Sequence, residues 1–146
     1  MTRQQFFSYI MDICDWDKLG DDEAVIEPLV LYLSKQSDEE IFSFEDIMAQ
    51  LLYALDTKKN FMKACKVYDH SDDTFLYSRC AALTNGEEYY EKVKRGRMNK
   101  VWGMEFEAIL SVPAKAWGRK HGKDPAEHPH LPSLSYETGS NKNEWK

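Results

Sequence analysis

Apolar residues recur along most of this chain at intervals of three and four, the spacing that places them on one face of an α-helix. Phe6, Tyr9, Ile10, Ile13 and Trp16 form the first such face, with Asp12, Asp15 and Asp17 on the polar side. Gly20 ends this helix, and Asp21 and Asp22 offer the N-cap of the next, over about Glu23 to Ser34. Pro28 lies inside that second segment, so it either kinks the helix or marks its true first turn. Ser37 and Glu40 have the spacing of a capping box, and the helix they open carries Ile41, Phe44, Ile47 or Met48, Leu51 and Leu55. A basic segment from Asn60 to Tyr68 is expected to present Phe61, Met62 and Cys65, with Tyr68 as a further candidate, to the core and Lys58, Lys59, Lys63 and Lys66 to the outside.

Ser71-Asp72-Asp73 is another helix start, since a hydroxyl and two carboxylates suit the free amides and positive end of the first turn. Its stripe is Phe75, Leu76, Arg79, Cys80 and Leu83, and Asn85-Gly86 is the stop. A short helix over Glu87 to Val93 follows, then a basic loop through Lys92, Lys94, Arg95, Arg97 and Lys100. The last helix spans about Glu105 to Lys120, kinked or split by Pro113 and ended by Gly122. No segment alternates as a strand does, so the pattern predicts an all-α bundle of six or seven helices in a single domain over residues 1–122. From residue 123 to 146 the period disappears among Pro125, Pro129 and Pro132. Leu131, Leu134, Tyr136 and Trp145 are costly to leave in water, so this tail is expected to lie extended and packed on the helical body.

Composition narrows the class. The longest apolar runs, Leu29 to Leu33 and Leu51 to Leu55, are far short of the roughly 20 residues a membrane-spanning helix needs. Phe6 to Met11 is cut by Asp12 with no small-residue cleavage site behind it, which does not fit a secretory signal. Cys14, Cys65 and Cys80 lack paired spacing, which suits a reducing compartment, and the expected location is the cytoplasm. The net charge of −6 is unevenly spread: residues 1–56 hold three basic and thirteen acidic side chains, whereas residues 57–122 hold thirteen basic and eight acidic. An acidic half of this strength repels nucleic acid and steers basic surfaces toward it.

Candidate chemistry is sparse. His121, Asp124, Glu127, His128 and His130 hold enough donors for a divalent cation, but their spacing does not complete a ligand set. A solvated loop without metal is the expectation there. Asp69, His70, Asp72 and Asp73 have the ingredients of acid–base catalysis, yet helix capping accounts for the same residues. Arg79 sits on an apolar face, where Glu105 or Glu107 would be its natural partner. No nucleophile elbow and no glycine-rich phosphate loop occurs, so neither an enzyme nor a cofactor is expected.

Four segments carry a family resemblance: Ile41 to Asp56 (IFSFEDIMAQLLYALD), Ser71 to Val93 (SDDTFLYSRCAALTNGEEYYEKV), Phe106 to Gly122, and Ser135 to Trp145 (SYETGSNKNEW). In these segments the chain resembles the bacterial family of unknown function numbered 4240. Phe6-Phe7, Leu52 to Asp56, Ser71 to Phe75 and Asn85-Gly86 occupy that family's recurring positions, while Gly96-Arg97 and Asn143-Glu144 depart from it. The resemblance implies a bacterial helical domain with a docked Trp145 and carries over no activity.

The leading expectation from the residues is therefore a non-enzymatic acidic interaction protein, an immunity or antitoxin-like protein that neutralises a basic toxin domain. Asp15, Trp16, Asp17, Asp21, Asp22 and Glu23 would form its partner-binding edge, with Tyr9 or Trp16 as aromatic anchor. The alternative is a small-molecule-sensing domain with a pocket near Asp72, Arg79 and Tyr136. A hydrolase using His70, Asp72 and Asp73 with a metal is the third.

Overall fold

In a computed structural model all 146 residues are described, and the chain is all-helical. Seven α-helices follow one another: α1 (Arg3–Ile13), α2 (Asp22–Ser34), α3 (Asp38–Leu55), α4 (Lys58–Cys65), α5 (Asp72–Thr84), α6 (Glu87–Lys94) and α7 (Val112–His121). Five short 3₁₀ turns fill connections and the tail. Local chemistry explains the boundaries. Thr2, Asp21, Ser37, Thr57 and Ser71 each accept a backbone N–H at a helix start, which satisfies one of the amides that a helix leaves unpaired. Gly122, with φ +63, takes the left-handed conformation that ends α7.

Both prolines are resolved by position. Pro28 lies inside α2, past its first turn, and the helix runs on to Ser34 around it. The expected last helix is split beside Pro113: a 3₁₀ turn covers Glu107–Ser111 and α7 begins at Val112, with Pro113 in its opening turn, where its missing N–H has no partner to lose.

The chain divides into two compact units, residues 1–47 with 108–133 and residues 48–107 with 134–146, and the division falls within α3. In the first, α2 packs on α7 and α1 on α2. Phe6, Ile10, Leu29, Leu33, Ile41 and Phe44 are fully buried there, and the Phe6 and Phe44 rings lie 4.7 Å apart. In the second, α5 packs on α6. Its core holds Leu52, Leu55, Phe75, Cys80, Tyr90 and Trp102, with Phe75 stacked on Trp102 at 5.5 Å and the Tyr90 hydroxyl donating to the Leu51 carbonyl. No helix is long and apolar enough to cross a membrane.

The tail divides as the units do. Residues 123–133 run over the first unit, where the backbone passes so close to α7 that a Cβ at Gly118 would stand 2.7 Å from the Lys123 carbonyl oxygen. Residues 134–146 lie on the second unit and end with Trp145 against Phe61, ring centroids 5.5 Å apart. Leu131 departs from the expectation of packing, at 86% exposure.

Candidate functional site

The predicted partner-binding residues gather at the link between α1 and α2. Five carboxylates and one lysine occupy residues 15–23, with Leu19 projecting among them at 69% exposure. Backbone demands fix two of the acids: Asp15 accepts from the Asp17 N–H and Asp21 from the Ala24 N–H. Glu23 pairs with Lys115 of α7. Asp17, Asp21 and Asp22 take part in no ion pair. Partial burial first, and then the neighbouring charges of Asp21 and Glu23, push the Asp22 carboxyl above the usual aspartate value. Trp16 is half-buried and donates its indole N–H to the Ile10 carbonyl at 3.0 Å. Tyr9 packs edge-on against Tyr32, whose hydroxyl hydrogen bond pushes Tyr9 up to about 12.

The expected small-molecule residues meet in the second unit, through backbone atoms. Arg79 is fully buried; its Nη1 donates to the carbonyls of Leu52 and Tyr136, and its Nη2 to the Thr138 hydroxyl, all at 3.0 Å. The Thr138 hydroxyl in turn donates to the Asp72 carbonyl at 2.7 Å. The pairing of Arg79 with Glu105 or Glu107 does not occur, because those carboxylates are replaced by carbonyls of α3 and the tail. Burial lowers the Arg79 value, and the charge of Asp56 counters it. The guanidinium thus straps the tail to the body.

Asp56 completes this strap, and its role is invisible to sequence patterning. It is fully buried and accepts from the backbone N–H of Gly139 and of Asn141 and from the Trp145 indole, at 2.9–3.0 Å. Its partners are mostly backbone amides more than eighty positions away, which carry no residue signature.

The candidate catalytic cluster does not assemble. The His70 ring is buried and stacked on Tyr68 at 3.9 Å, with Nε2 2.7 Å from the Trp102 carbonyl and Nδ1 3.1 Å from the Thr74 hydroxyl. A carbonyl only accepts, so Nε2 carries the proton and both ring nitrogens are engaged within the protein. Asp72 and Asp73 are exposed in the first turn of α5.

The segment expected as a solvated Pro/His loop is instead packed. His128 is only 8% exposed at its side chain and meets Glu45 at 2.6 Å; His130 meets Asp46 at 2.7 Å and stacks on Phe42 at 4.6 Å. His121 meets Asp38 at 2.9 Å, beside Lys120. Each histidine faces its own carboxylate on α3, His121 from the end of α7 and His128 and His130 from the extended chain, where both rings pack on Phe42. No group of three or more His, Cys, Asp or Glu side chains converges as a metal ligand set.

The family model described as "Protein of unknown function (DUF4240)" matches residues 1–119, most of the chain, and the chain belongs to that family. No curated protein and no solved structure matches it.

Proposed function

We propose that this member of the DUF4240 family is a non-enzymatic acidic interaction protein of the bacterial cytoplasm, of the immunity or antitoxin type, which binds and blocks a basic partner such as a toxin domain. The observation that carries this reading is the acidic edge of residues 15–23, where Asp17, Asp21 and Asp22 lack a cationic partner around the projecting Leu19. An arriving lysine or arginine surface relieves the repulsion felt by Asp22, and Leu19 supplies apolar contact at the centre of the same edge. The first unit, with seven basic and fourteen acidic side chains, adds a long-range field of the right sign.

The test separates steering from folding by sparing the caps. Asp17→Lys and Asp22→Lys reverse charge, while Asp15→Asn and Asp21→Asn keep oxygens able to cap. A basic protein captured from the source cytosol and identified by mass spectrometry would be purified and its association rate followed by stopped flow. At low salt the combined variant should associate about 10-fold or more slowly, and the gap should close as salt rises. An unchanged rate, or capture of acidic partners alone, would overturn the reading.

A further inference from the structure

Two basic runs about thirty positions apart in sequence meet in the second unit. Lys59 and Lys63 of α4, together with Lys94 and Arg95 at the end of α6, line one cavity of about 490 Å³. That volume falls within the roughly 300–1,000 Å³ of small-molecule sites. A single carboxylate, Glu144, shares the lining, and none of the four cations forms an ion pair. An anion entering the hollow would meet four cations that no carboxylate of the chain engages.

The surrounding backbone holds this arrangement in place. Gly96, with φ +75, makes the turn after α6, and a Cβ there would stand 2.7 Å from Lys63 Nζ, so glycine both permits the turn and leaves room for the ammonium. The N–H groups of Arg95, Gly96 and Arg97 close on the carbonyls of Glu91, Val93 and Lys92, which fixes the turn that follows α6. Thr57, the N-cap of α4, and Asn60 of its first turn also line the cavity, adding the positive end of a helix. Asn60 is almost fully buried and anchored by its amide on the Leu55 carbonyl at 3.0 Å.

We propose that this cavity binds a compact small-molecule anion bearing two phosphate groups. Lys63 and Arg95 hold its phosphate oxygens, Arg95 with a planar fork that a lysine lacks, and Lys59 and Lys94 close the rim. A nucleic-acid strand is a poor fit, because it needs an extended basic face, and this chain is net −6 with these four cations gathered around one hollow. The site is separate from the acidic edge and does not depend on it.

Inorganic pyrophosphate is the probe, titrated into the full chain by calorimetry at constant ionic strength in sodium chloride, without divalent cations. One saturable site is expected, weakening as salt rises. Lys63→Gln and Arg95→Gln should each weaken it at least 10-fold, whereas Lys66→Gln, on the same basic segment but outside the cavity, should stay within 2-fold. Circular dichroism of each variant verifies folding, and the exposed Lys59→Gln is the substitute where Lys63→Gln unfolds. Amide shifts of Asn60 and Gly96 should move on saturation. Absence of saturable binding up to millimolar pyrophosphate would overturn the proposal. So would an equal loss from Lys66→Gln, which marks diffuse charge instead of a site.

Discussion

Replacing Asp56 with alanine should loosen the end of the chain from the second unit. The carboxylate accepts three hydrogen bonds, from the N–H groups of Gly139 and Asn141 and from the Trp145 indole. Hydrogen bonds to a charged group contribute about 1.5–3 kcal/mol each, but the three are not lost in full. The indole keeps a second acceptor, the Asp56 carbonyl at 3.1 Å, and the Gly139 amide lies where water can reach it. Asn141 is buried, so its amide is stranded, and Arg79 loses the charge that offsets its own burial. The expected cost is about 3–5 kcal/mol, the range for removing one partner of a buried charged network. That is a large part of the ~5–15 kcal/mol by which domains are stable, and it lowers the melting temperature by about 10–15 °C. Guanidinium denaturation measures the loss, and hydrogen exchange locates it at the Gly139 and Asn141 amides. Trp145→Phe, which keeps an aromatic ring beside Phe61 but removes the indole donor and part of the packed ring system, should cost about 1–2 kcal/mol. A loss below about 1 kcal/mol for Asp56→Ala, with both amides still protected, would show that the tail is held by other contacts.

Gly118→Ala sets helix propensity against packing. Alanine is worth about 1 kcal/mol more than glycine inside a helix, yet the added methyl meets the Lys123 carbonyl oxygen at 2.7 Å and the Pro125 nitrogen at 3.2 Å, backbone atoms that cannot swing aside. A net destabilisation of about 1–3 kcal/mol is expected; a stabilised variant in thermal melts would refute the close approach. Among the thiols, only the exposed Cys65 should react rapidly with a disulfide reagent, because Cys14 and Cys80 are buried and burial pushes both thiols up, Cys14 to about 12; more than one fast equivalent contradicts this. At low pH, hydrogen bonds from His121 and Lys120 hold Asp38 below its ordinary value, and one from Arg119 holds Glu27 below its own. Their stabilising effect is complete above the unfolded-state range of about pH 4–4.5 and is lost as pH falls through the native values. Asp38→Asn and Glu27→Gln should therefore flatten the acid limb of the stability curve, and an unchanged limb would dismiss both pairs as contributors.

The helices are legible because their signals are local. Ser71 with two aspartates, Gly122 after a basic turn, and apolar residues three and four apart in α3 each act within a turn or two of where they stand. The acidic edge is legible for the same reason, being one continuous stretch from Asp15 to Glu23. What escapes is pairing over distance. The three histidines from 121 to 130 look like a cluster because they are close in sequence, whereas each meets a different acid of α3, His121 from the end of α7 and the other two from the extended chain. The spacing of His128 and His130, two apart, against the adjacent Glu45 and Asp46 was the available clue. Arg79 was legible as a buried cation on an apolar face but not in its partners, since carbonyl oxygens are present at every residue and mark none.

Charge follows the fold and not the halves of the sequence. The acids of the first 56 residues are answered in part by α7, where Lys115 meets Glu23, Arg119 meets Glu27, and Lys120 and His121 share Asp38. With those cations counted, the first unit holds seven basic and fourteen acidic side chains, and the second holds twelve basic and eleven acidic. Near-balance in the second unit makes its cavity more telling. With almost as many acids as bases available, random placement would put carboxylates beside Lys59, Lys63, Lys94 and Arg95, yet only Glu144 shares their cavity and it pairs with none of them. Two places gather several charges of one sign with no partner of the other, the Asp17–Asp22 edge and the Lys63–Arg95 hollow. Exposed ion pairs are worth little to stability, so folding alone exerts weak pressure to fill either one, and each is free to meet a charge from outside the chain.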